Sequence, residues 1–337
     1  MARFLVTGGA GYVGSHTVLA LHERGDDVVV VDDLSMGHRG AVPKGVELVV
    51  EDLGNQSRLR EIFAGWTFDG VLHFAARSLV GESMREPLHY LAENVNNTLR
   101  VAEAAIKSDC KRFVLSSTAA LFGMPDRIPI DEESLLSPIS PYGESKLMAE
   151  KGLEWAGKIH GLHWTALRYF NAAGADPEGR LGEDHTPETH LIPLAINAAL
   201  GLGPELTVFG DTYETPDGTA VRDYVHVTDL ADAHLRVLDR LALGQGGRYN
   251  VGNGTGYSVL DVIKAVERVS GRKVPHKIGP QRPGDPPVLL ASNERLIRDT
   301  GWKPRFDKLE AIVETAWRWR SAHPAGFETA APLPIAS

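Results

Sequence analysis

Short apolar, β-branched runs alternate with amphipathic stretches through the first half of the chain. Phe4-Leu5-Val6-Thr7 reads as a buried strand that runs into a glycine turn. A helical pattern follows from about Val13 to Arg24 and stops at Gly25, placed as a C′ residue. Val28 to Val31 are four successive valines, apolar on both faces as a parallel strand covered by helices requires. Further strands are expected at Glu47 to Val50, Val71 to Phe74, Phe113 to Ser116 and Ala166 to Tyr169. Helices fall between them, including Asn94 to Lys107 and Pro141 to His160. Repeated βα units of this kind predict an α/β fold, a doubly wound, Rossmann-like parallel sheet.

The rhythm breaks after Asn171. Gly174 to Thr189 is rich in Gly, Pro, Asp and Glu and reads as a long connection. Then come a helix at Leu191 to Leu200, a strand at Leu206 to Phe209, a helix at Thr228 to Leu241 and a strand at Tyr249 to Val251. Helices at Ser258 to Val269 and Asp307 to Ser321 complete the pattern. The expected division is a dinucleotide-binding domain over 1–172, rejoined by about 219–245. A smaller, irregular α/β substrate lobe covers 173–218 and 246–325. The Pro/Ala-rich stretch 326–337 is expected to fray.

Composition narrows the function classes. The 337 residues hold 43% hydrophobic residues, ordinary for a globular chain, and no apolar run approaches the roughly 18 residues that span a bilayer. Met1-Ala2-Arg3 leads straight into the first strand, so no signal peptide is expected. Cys110 is the only cysteine, which suits a reducing, cytoplasmic setting. The net charge of −9 with no Lys/Arg block argues against nucleic-acid or membrane binding. The 13 histidines are scattered, with no HExxH and no cysteine pair, so no metal site is expected.

Two stretches carry chemistry. Gly8, Gly11 and Gly14 lie between the first strand and first helix, where the backbone must turn tightly and approach a pyrophosphate at the helix N-terminus. Asp32, at the end of the next strand, suits the ribose 2′-hydroxyl and repels a 2′-phosphate, favouring NAD over NADP. The second stretch is Pro141-Tyr142-Gly143-Glu144-Ser145-Lys146. Pro141 suits a first helical turn, and residues four apart share a helix face, so Tyr142 and Lys146 would be neighbours. A nearby ammonium favours a phenolate. Lowering a phenol by roughly 3 units takes about 4 kcal/mol, which a buried lysine plus one further cation can supply.

The Gly-x-x-Gly-x-x-Gly spacing combined with Tyr142-x-x-x-Lys146 resembles the extended short-chain dehydrogenase/reductase family. The third catalytic member there is a hydroxyl after the fifth strand, and Thr118 in Ser116-Ser117-Thr118-Ala119-Ala120 occupies that place. The resemblance sharpens to the UDP-glucose 4-epimerase family. It is carried by His73-Phe74-Ala75-Ala76, Asn94-Val95-Asn96, Leu167-Arg168-Tyr169-Phe170-Asn171, Val221 to Val227 and Arg282-Pro283-Gly284-Asp285. It implies NAD contacts at Gly8, Gly11, Tyr12, Val13, Gly14, Asp32, Asp33, Leu34, Ser35, Met36, Gly37, Asp52, Leu53, Phe74, Ala75, Ala76, Asn94, Ser116, Tyr142, Lys146 and Phe170. The UDP-sugar would lie against Thr118, Tyr142, Asn171, His190, Leu191, Thr207, Val208, Phe209, Arg222, Arg282, Asp285 and Leu289. Guanidinium forks at 222 and 282 suit a diphosphate. The implied reaction interconverts UDP-galactose and UDP-glucose: the Tyr142 phenolate removes the C4 proton, a 4-keto sugar forms, and hydride returns to its other face. Enzyme-bound NAD(H) and a homodimer formed through the helices at 94–107 and 141–160 are also implied.

Departures from the family pattern are Arg77-Ser78 where many members place a cofactor-holding lysine, with Arg77 and Ser78 expected to contact NAD in its place, His190 where some have Asn, and Leu289 where a bulky Tyr restricts the sugar C2. A smaller residue at 289 leaves room for N-acetylated sugars. A 4,6-dehydratase would need an acid pair after Thr118, where Ala119 and Ala120 stand. Pentose and uronate 4-epimerases share the same chemistry, and a non-catalytic NAD sensor would have lost Tyr142 or Lys146.

Overall fold

A computed structural model describes residues 1–282 and 284–327. In chain order the first half comprises β1 (Arg3–Thr7), α1 (Tyr12–Glu23), β2 (Asp27–Asp32), β3 (Glu47–Val50), α2 (Gln56–Gly65), β4 (Gly70–His73), a short α3 (Val80–Ser83), α4 (Pro87–Lys107), β5 (Arg112–Thr118), α5 (Pro141–His160) and β6 (His163–Tyr169). The second half comprises β7 (Asn171–Ala173), α6 (Leu191–Leu200), β8 (Leu206–Phe209), β9 (Val221–His226), α7 (Val227–Leu241), β10 (Gly247–Val251), β11 (Gly256–Ser258), α8 (Val259–Ser270), β12 (His276–Gly279), β13 (Val288–Leu289), α9 (Glu294–Thr300) and α10 (Leu309–Ala322).

Seven parallel strands form the main sheet in the order β10-β6-β5-β4-β1-β2-β3. Residues of α2, α4 and α5 bury one face of it and residues of α1, α7 and α9 the other, giving two apolar cores. From β1 the chain builds outward through β2 and β3, then crosses back over β1 to β4 and builds the other way. That reversal opens a crevice beyond the C-terminal strand ends, the place where open α/β sheets bind ligands. A third core, of α6, α8 and α10 with β8 and β9, supports the second lobe. A small four-stranded sheet, with β9 flanked by β7, β11 and β13, faces the crevice side of the chain.

Local chemistry explains the helix ends. The Ser140 hydroxyl accepts the Gly143 amide at 3.2 Å, Pro141 fills the first turn of α5, and Gly161 closes it at φ +69°. Ser258 and Asp261 make a reciprocal capping box on α8. α4 begins at Pro87, well before the expected Asn94, because a proline at N1 starts the helix there.

Two expectations change. The strand at 247–251 pairs in parallel with β6 as the edge of the main sheet, so the return to the first domain runs past 245. Its residues Tyr249 and Val251 are buried in the core shared with α7, which fixes it there. Within the stretch expected to fray, Gly326 and Phe327 are docked: the Phe327 amide donates to Asp184 at 2.8 Å and its ring stacks on His38. Residues 328–337 lie outside the described residues.

One buried ion pair ties α5 to the sheet. Arg168 on β6 donates two hydrogen bonds to Glu150 on α5, at 2.6 and 3.0 Å, and both side chains are 1% exposed. Ser117 and Arg248 also donate to the same carboxylate. Removing one partner strands the other charge out of water. Glu150→Ala is therefore expected to cost about 3–5 kcal/mol in denaturant unfolding; an unchanged midpoint would show the pair to be dispensable.

Candidate active site

The first βα turn is built by exclusion. Gly8 sits at φ +71°, and a Cβ there would lie 2.4 Å from the Ala75 nitrogen. A Cβ on Gly14 would lie 2.1 Å from the Gly8 carbonyl oxygen. The backbone is thus packed too closely for any side chain, and α1 starts without a side-chain cap and with no acid in its first turn. Its leading amides are aimed into the crevice, a ready anion site. Asp32 ends β2 nearby, almost fully buried, accepting the Ala10 and Leu34 amides at 2.9 Å each. Burial pushes its carboxyl up, and those two amides pull it partly back. Leu34 beside it adopts φ +59°, a strained backbone for a leucine.

Across the crevice, α5 presents Tyr142, Lys146 and Glu150 at helical spacing of four, on one face. Lys146 is 2% exposed, and its ammonium donates to the Ser116 carbonyl at 2.9 Å. Burial pulls the Lys146 ammonium down to about 8, and the Glu150 carboxylate partly offsets this. Burial pushes the Tyr142 phenol above its ordinary value, and the neighbouring Thr118 hydroxyl pulls it back in part. The expected depression of the phenol is therefore not produced by the protein's own groups. Desolvation works against both members of a phenolate–ammonium pair, so each is driven toward its neutral form. Behind them His73 is wedged between the hydroxyls of Thr7 and Thr98, at 2.6 and 3.0 Å. Its burial, reinforced by the Lys146 charge, holds it neutral, down at about 3.

The second lobe forms the opposite wall. Leu289 on β13 is paired in register with Arg222 on β9, and Asn171 on β7 pairs with Tyr224 of the same strand. Arg222 donates to Asp285 at 2.6 Å, and the Arg282 guanidinium lies over the Phe209 ring at 4.1 Å. Tyr213, which the sequence did not flag, is buried beside these groups and feels the charges of Asp285, Arg222 and Arg282. Leu289 and Phe170 pack with Ala119, Phe122 and Ile130 as an apolar patch between the two walls.

Comparison with known proteins places this arrangement. The profile described as "NAD dependent epimerase/dehydratase family" matches residues 4–252. The chain is 48% identical over 326 residues to a UDP-glucose 4-epimerase of Halalkalibacterium halodurans, covering 96% of this chain and 97% of that one. A UDP-glucose 4-epimerase from Brucella ovis solved in complex with NAD superposes at a TM-score of 0.92, with 42% identity and coverage of 94% and 98%. The enzyme from Bifidobacterium longum, solved with NAD+ and UDP, gives 0.92 at 36% identity, covering 96% and 100%. This chain belongs to the NAD dependent epimerase/dehydratase family.

The residues present fit the family's cofactor. The side-chain-free cradle at Gly8 and Gly14 suits a pyrophosphate, and Asp32 supplies the acceptor for a ribose hydroxyl. Around it, Asp33, Ser35, Met36 and Gly37 line the loop after β2, with the Asp33 carboxylate accepting both the Ser35 amide and hydroxyl. Asp52 is exposed after β3, while Leu53 is buried in the α2 core. Phe74, Ala75 and Ala76 follow β4 at the crevice floor, and Arg77 and Ser78 are exposed beyond them.

Several expected contacts are already spent inside the protein. Asn94 accepts the Arg77 amide and donates to the Arg77 carbonyl and the Ser145 hydroxyl, so it positions the loop after β4. The Ser116 hydroxyl pairs with the Tyr169 hydroxyl. The Tyr12 hydroxyl donates to the Gly174 carbonyl at 2.6 Å, joining α1 to the long connection. Val208 points into the third core, leaving Thr207 and Phe209 as the accessible members of β8. His190 at the start of α6 turns to Glu183 and Glu188 at 2.8 and 3.0 Å, while Leu191 packs on the third core. Within one eight-residue stretch, Glu183, His185, Glu188 and His190 converge, contrary to the expectation of no metal site. The signal available was their spacing, Glu-x-His-x-x-Glu-x-His.

The depressed Lys146 ammonium carries a stability cost. Below about pH 8 the folded protein holds a charge whose desolvation is not repaid, whereas the unfolded chain keeps its lysine protonated up to its ordinary 10.5. The folded state binds fewer protons between those values, so stability at this site rises with pH there. Lys146→Met is expected to stabilise by up to about 3 kcal/mol at neutral pH, at 1.36 per unit. The gain should shrink through pH 8 to 10 in paired denaturant titrations; a pH-independent difference would contradict the assignment.

Proposed function

We propose that this protein interconverts UDP-galactose and UDP-glucose by inverting C4 of the sugar through a transient 4-keto sugar, with NAD retained throughout. The observation that carries the reading is the meeting of Tyr142, Thr118 and Lys146 across one crevice from the glycine cradle and the two arginines. Tyr142 takes the C4 hydroxyl proton and later returns it, acting as general base and then general acid. Thr118 shares a hydrogen bond with the phenol and positions it on the sugar oxygen. Lys146, fixed by the Ser116 carbonyl, supplies a buried positive charge that favours the phenolate. NAD, when bound, supplies the hydride acceptor and donor and a fixed positive charge, which the protein's own groups do not provide. Arg222, Arg282 and Asp285 grip the nucleoside diphosphate, and Phe209 offers its ring face beside Arg282. The hexose end meets the partly buried Phe170 and Leu289, which hold no groups able to fix sugar hydroxyls. A sugar held loosely while its diphosphate is held firmly can turn over and expose its other face.

A wider substrate range follows from Leu289. It stands beside Arg222 in register, and its partly buried aliphatic side chain leaves more room near the sugar C2 than an aromatic ring would. UDP-N-acetylglucosamine is accordingly a second substrate. A 4,6-dehydratase reading lacks its acid: Ala119 and Ala120 follow Thr118 and have no proton to give.

The experiment is to incubate the purified protein, with no added NAD, with UDP-galactose and separately with UDP-N-acetylglucosamine. Conversion of each to its C4 epimer is expected. Tyr142→Phe, which deletes one oxygen, should cut turnover at least a thousandfold, the upper range of general acid–base catalysis being about 10⁴. A variant that retains full activity would overturn the assignment of the base.

We also propose a cytoplasmic homodimer. α4 and α5 pack together and leave Met148, Trp155 and Ile159 exposed on one stripe of α5, with Leu88 and Leu99 on α4. Trp155 is 64% and Ile159 67% exposed, large for apolar residues on a helix with no covering element. Two copies pairing these helices would bury the stripe as a four-helix bundle. Trp155→Glu is expected to yield monomers in analytical ultracentrifugation where the unaltered protein sediments as a dimer. Unchanged sedimentation would place the interface elsewhere.

A further inference from the structure

The connection between β7 and α6 carries a cluster that the epimerase chemistry does not use. Glu183 Oε1 faces His190 Nδ1 at 2.8 Å and His185 Nδ1 at 3.3 Å. Glu188 meets the same two imidazoles, His190 at 3.0 Å and His185 at 3.6 Å. One donor atom from each of the four residues lies within 4.8 Å of every other. The Glu183 side chain is 6% exposed, yet its Oε1 finds no hydrogen bond of acceptable geometry, and nor does the buried His185 Nδ1. We propose that Glu183, His185, Glu188 and His190 form a closed divalent-metal site, with zinc its fitting occupant.

Ligand chemistry supports this. Two imidazoles and two carboxylates are a borderline N2O2 set suited to zinc. Zinc bonds of about 2.0–2.2 Å put tetrahedral ligand atoms roughly 3.3–3.6 Å apart, and the four separations bracket that range. Charge also balances, because two carboxylates and neutral imidazoles around a dication sum to zero, with Glu183 buried, His185 and Glu188 half-buried and His190 at the exposed rim. A network of imidazolium–carboxylate pairs would also sum to zero. Such a network needs each N–H aimed at a lone pair; His190 Nδ1 meets that geometry with Glu188 Oε1 at 3.0 Å, but His185 Nδ1 meets it with no carboxylate and the Glu183 oxygen shared by the two imidazoles with neither.

The position gives the site a purpose. The His185 ring meets the edge of the Tyr12 ring at 6.1 Å, against the first turn of α1. Asp184, between the ligands, accepts from His38 through its carbonyl and from the Phe327 amide through its carboxylate. His190 precedes α6 directly. A metal here staples the long connection onto the cofactor turn, the loop after β2, the C-terminal segment and the second lobe, and closes a loop that otherwise lacks regular structure.

The test uses untagged full-length protein. It is treated with dipicolinate, desalted, dialysed against micromolar free zinc and analysed by elemental mass spectrometry beside His185→Ala and Glu188→Gln. We expect one zinc per chain in the unaltered protein and at least roughly tenfold weaker binding in each variant. We also expect an unfolding midpoint that falls on chelation and recovers with zinc, while chelation leaves the variants' midpoints where they are. Another divalent transition metal retained one per chain and lost in both variants would support the site and change only its occupant. Zinc retained equally by all three proteins, or no metal retained by the unaltered protein, would overturn the proposal. A midpoint insensitive to chelation but lowered by the substitutions would assign the cluster to ion pairing instead.

Discussion

A single ammonium, that of Lys146, fixes the geometry of the crevice. It leaves water completely and finds one protein acceptor, the carbonyl of Ser116 at the end of β5. That contact sets how far α5 can slide along the sheet, and so where Tyr142, one turn earlier, meets Thr118, two residues beyond Ser116. The Glu150–Arg168 pair, one turn later, fastens the same helix to β6. Helix periodicity thus turns one stripe of α5 into an anchor, a charge and a base in succession. Burying these groups is unfavourable in itself, and the fold accepts that cost to keep the phenol and ammonium in one dry crevice.

The electrostatics then divide the work between protein and cofactor. Desolvation pushes the phenol of Tyr142 up and the ammonium of Lys146 down to about 8, so at neutral pH the protein by itself holds a neutral phenol beside a lysine that is still charged. On the proposed reading, a positively charged cofactor held beside Tyr142 would supply the missing attraction for a phenolate, and Tyr142 would serve as base while that charge is present. Proton removal from the sugar would then be coupled to the cofactor's charge without a moving part. The proposed diphosphate anchor Arg222 is already tied to Asp285 and so is preorganised.

Much of this was legible in the chain. Four valines in a row, a glycine turn and an acid at the strand end specify a doubly wound sheet and a dinucleotide crevice, because periodicity and backbone sterics are local. Pro141 to Lys146 were legible for the same reason: a proline start and a spacing of four are helix geometry. What escaped depended on contacts far apart in sequence. The sign of the Tyr142 shift depends on how completely the fold excludes water there. The commitment of Asn94 to Arg77 and Ser145 depends on the packing of α4 against α5. Strand 247–251 reads as part of either lobe until its partner, β6, is known. The convergence of Glu183, His185, Glu188 and His190 arises in a loop that has no periodicity to betray it.

The account rests on a phenol whose ionisation is governed by its cationic surroundings. The most direct measurement is the titration of Tyr142 by NMR of ring-labelled tyrosine, comparing the NAD-loaded protein with protein stripped of its cofactor. The prediction is a phenol that ionises above its ordinary value of about 10 without NAD and well below it with NAD bound. An ionisation that does not move when the cofactor binds would contradict the account.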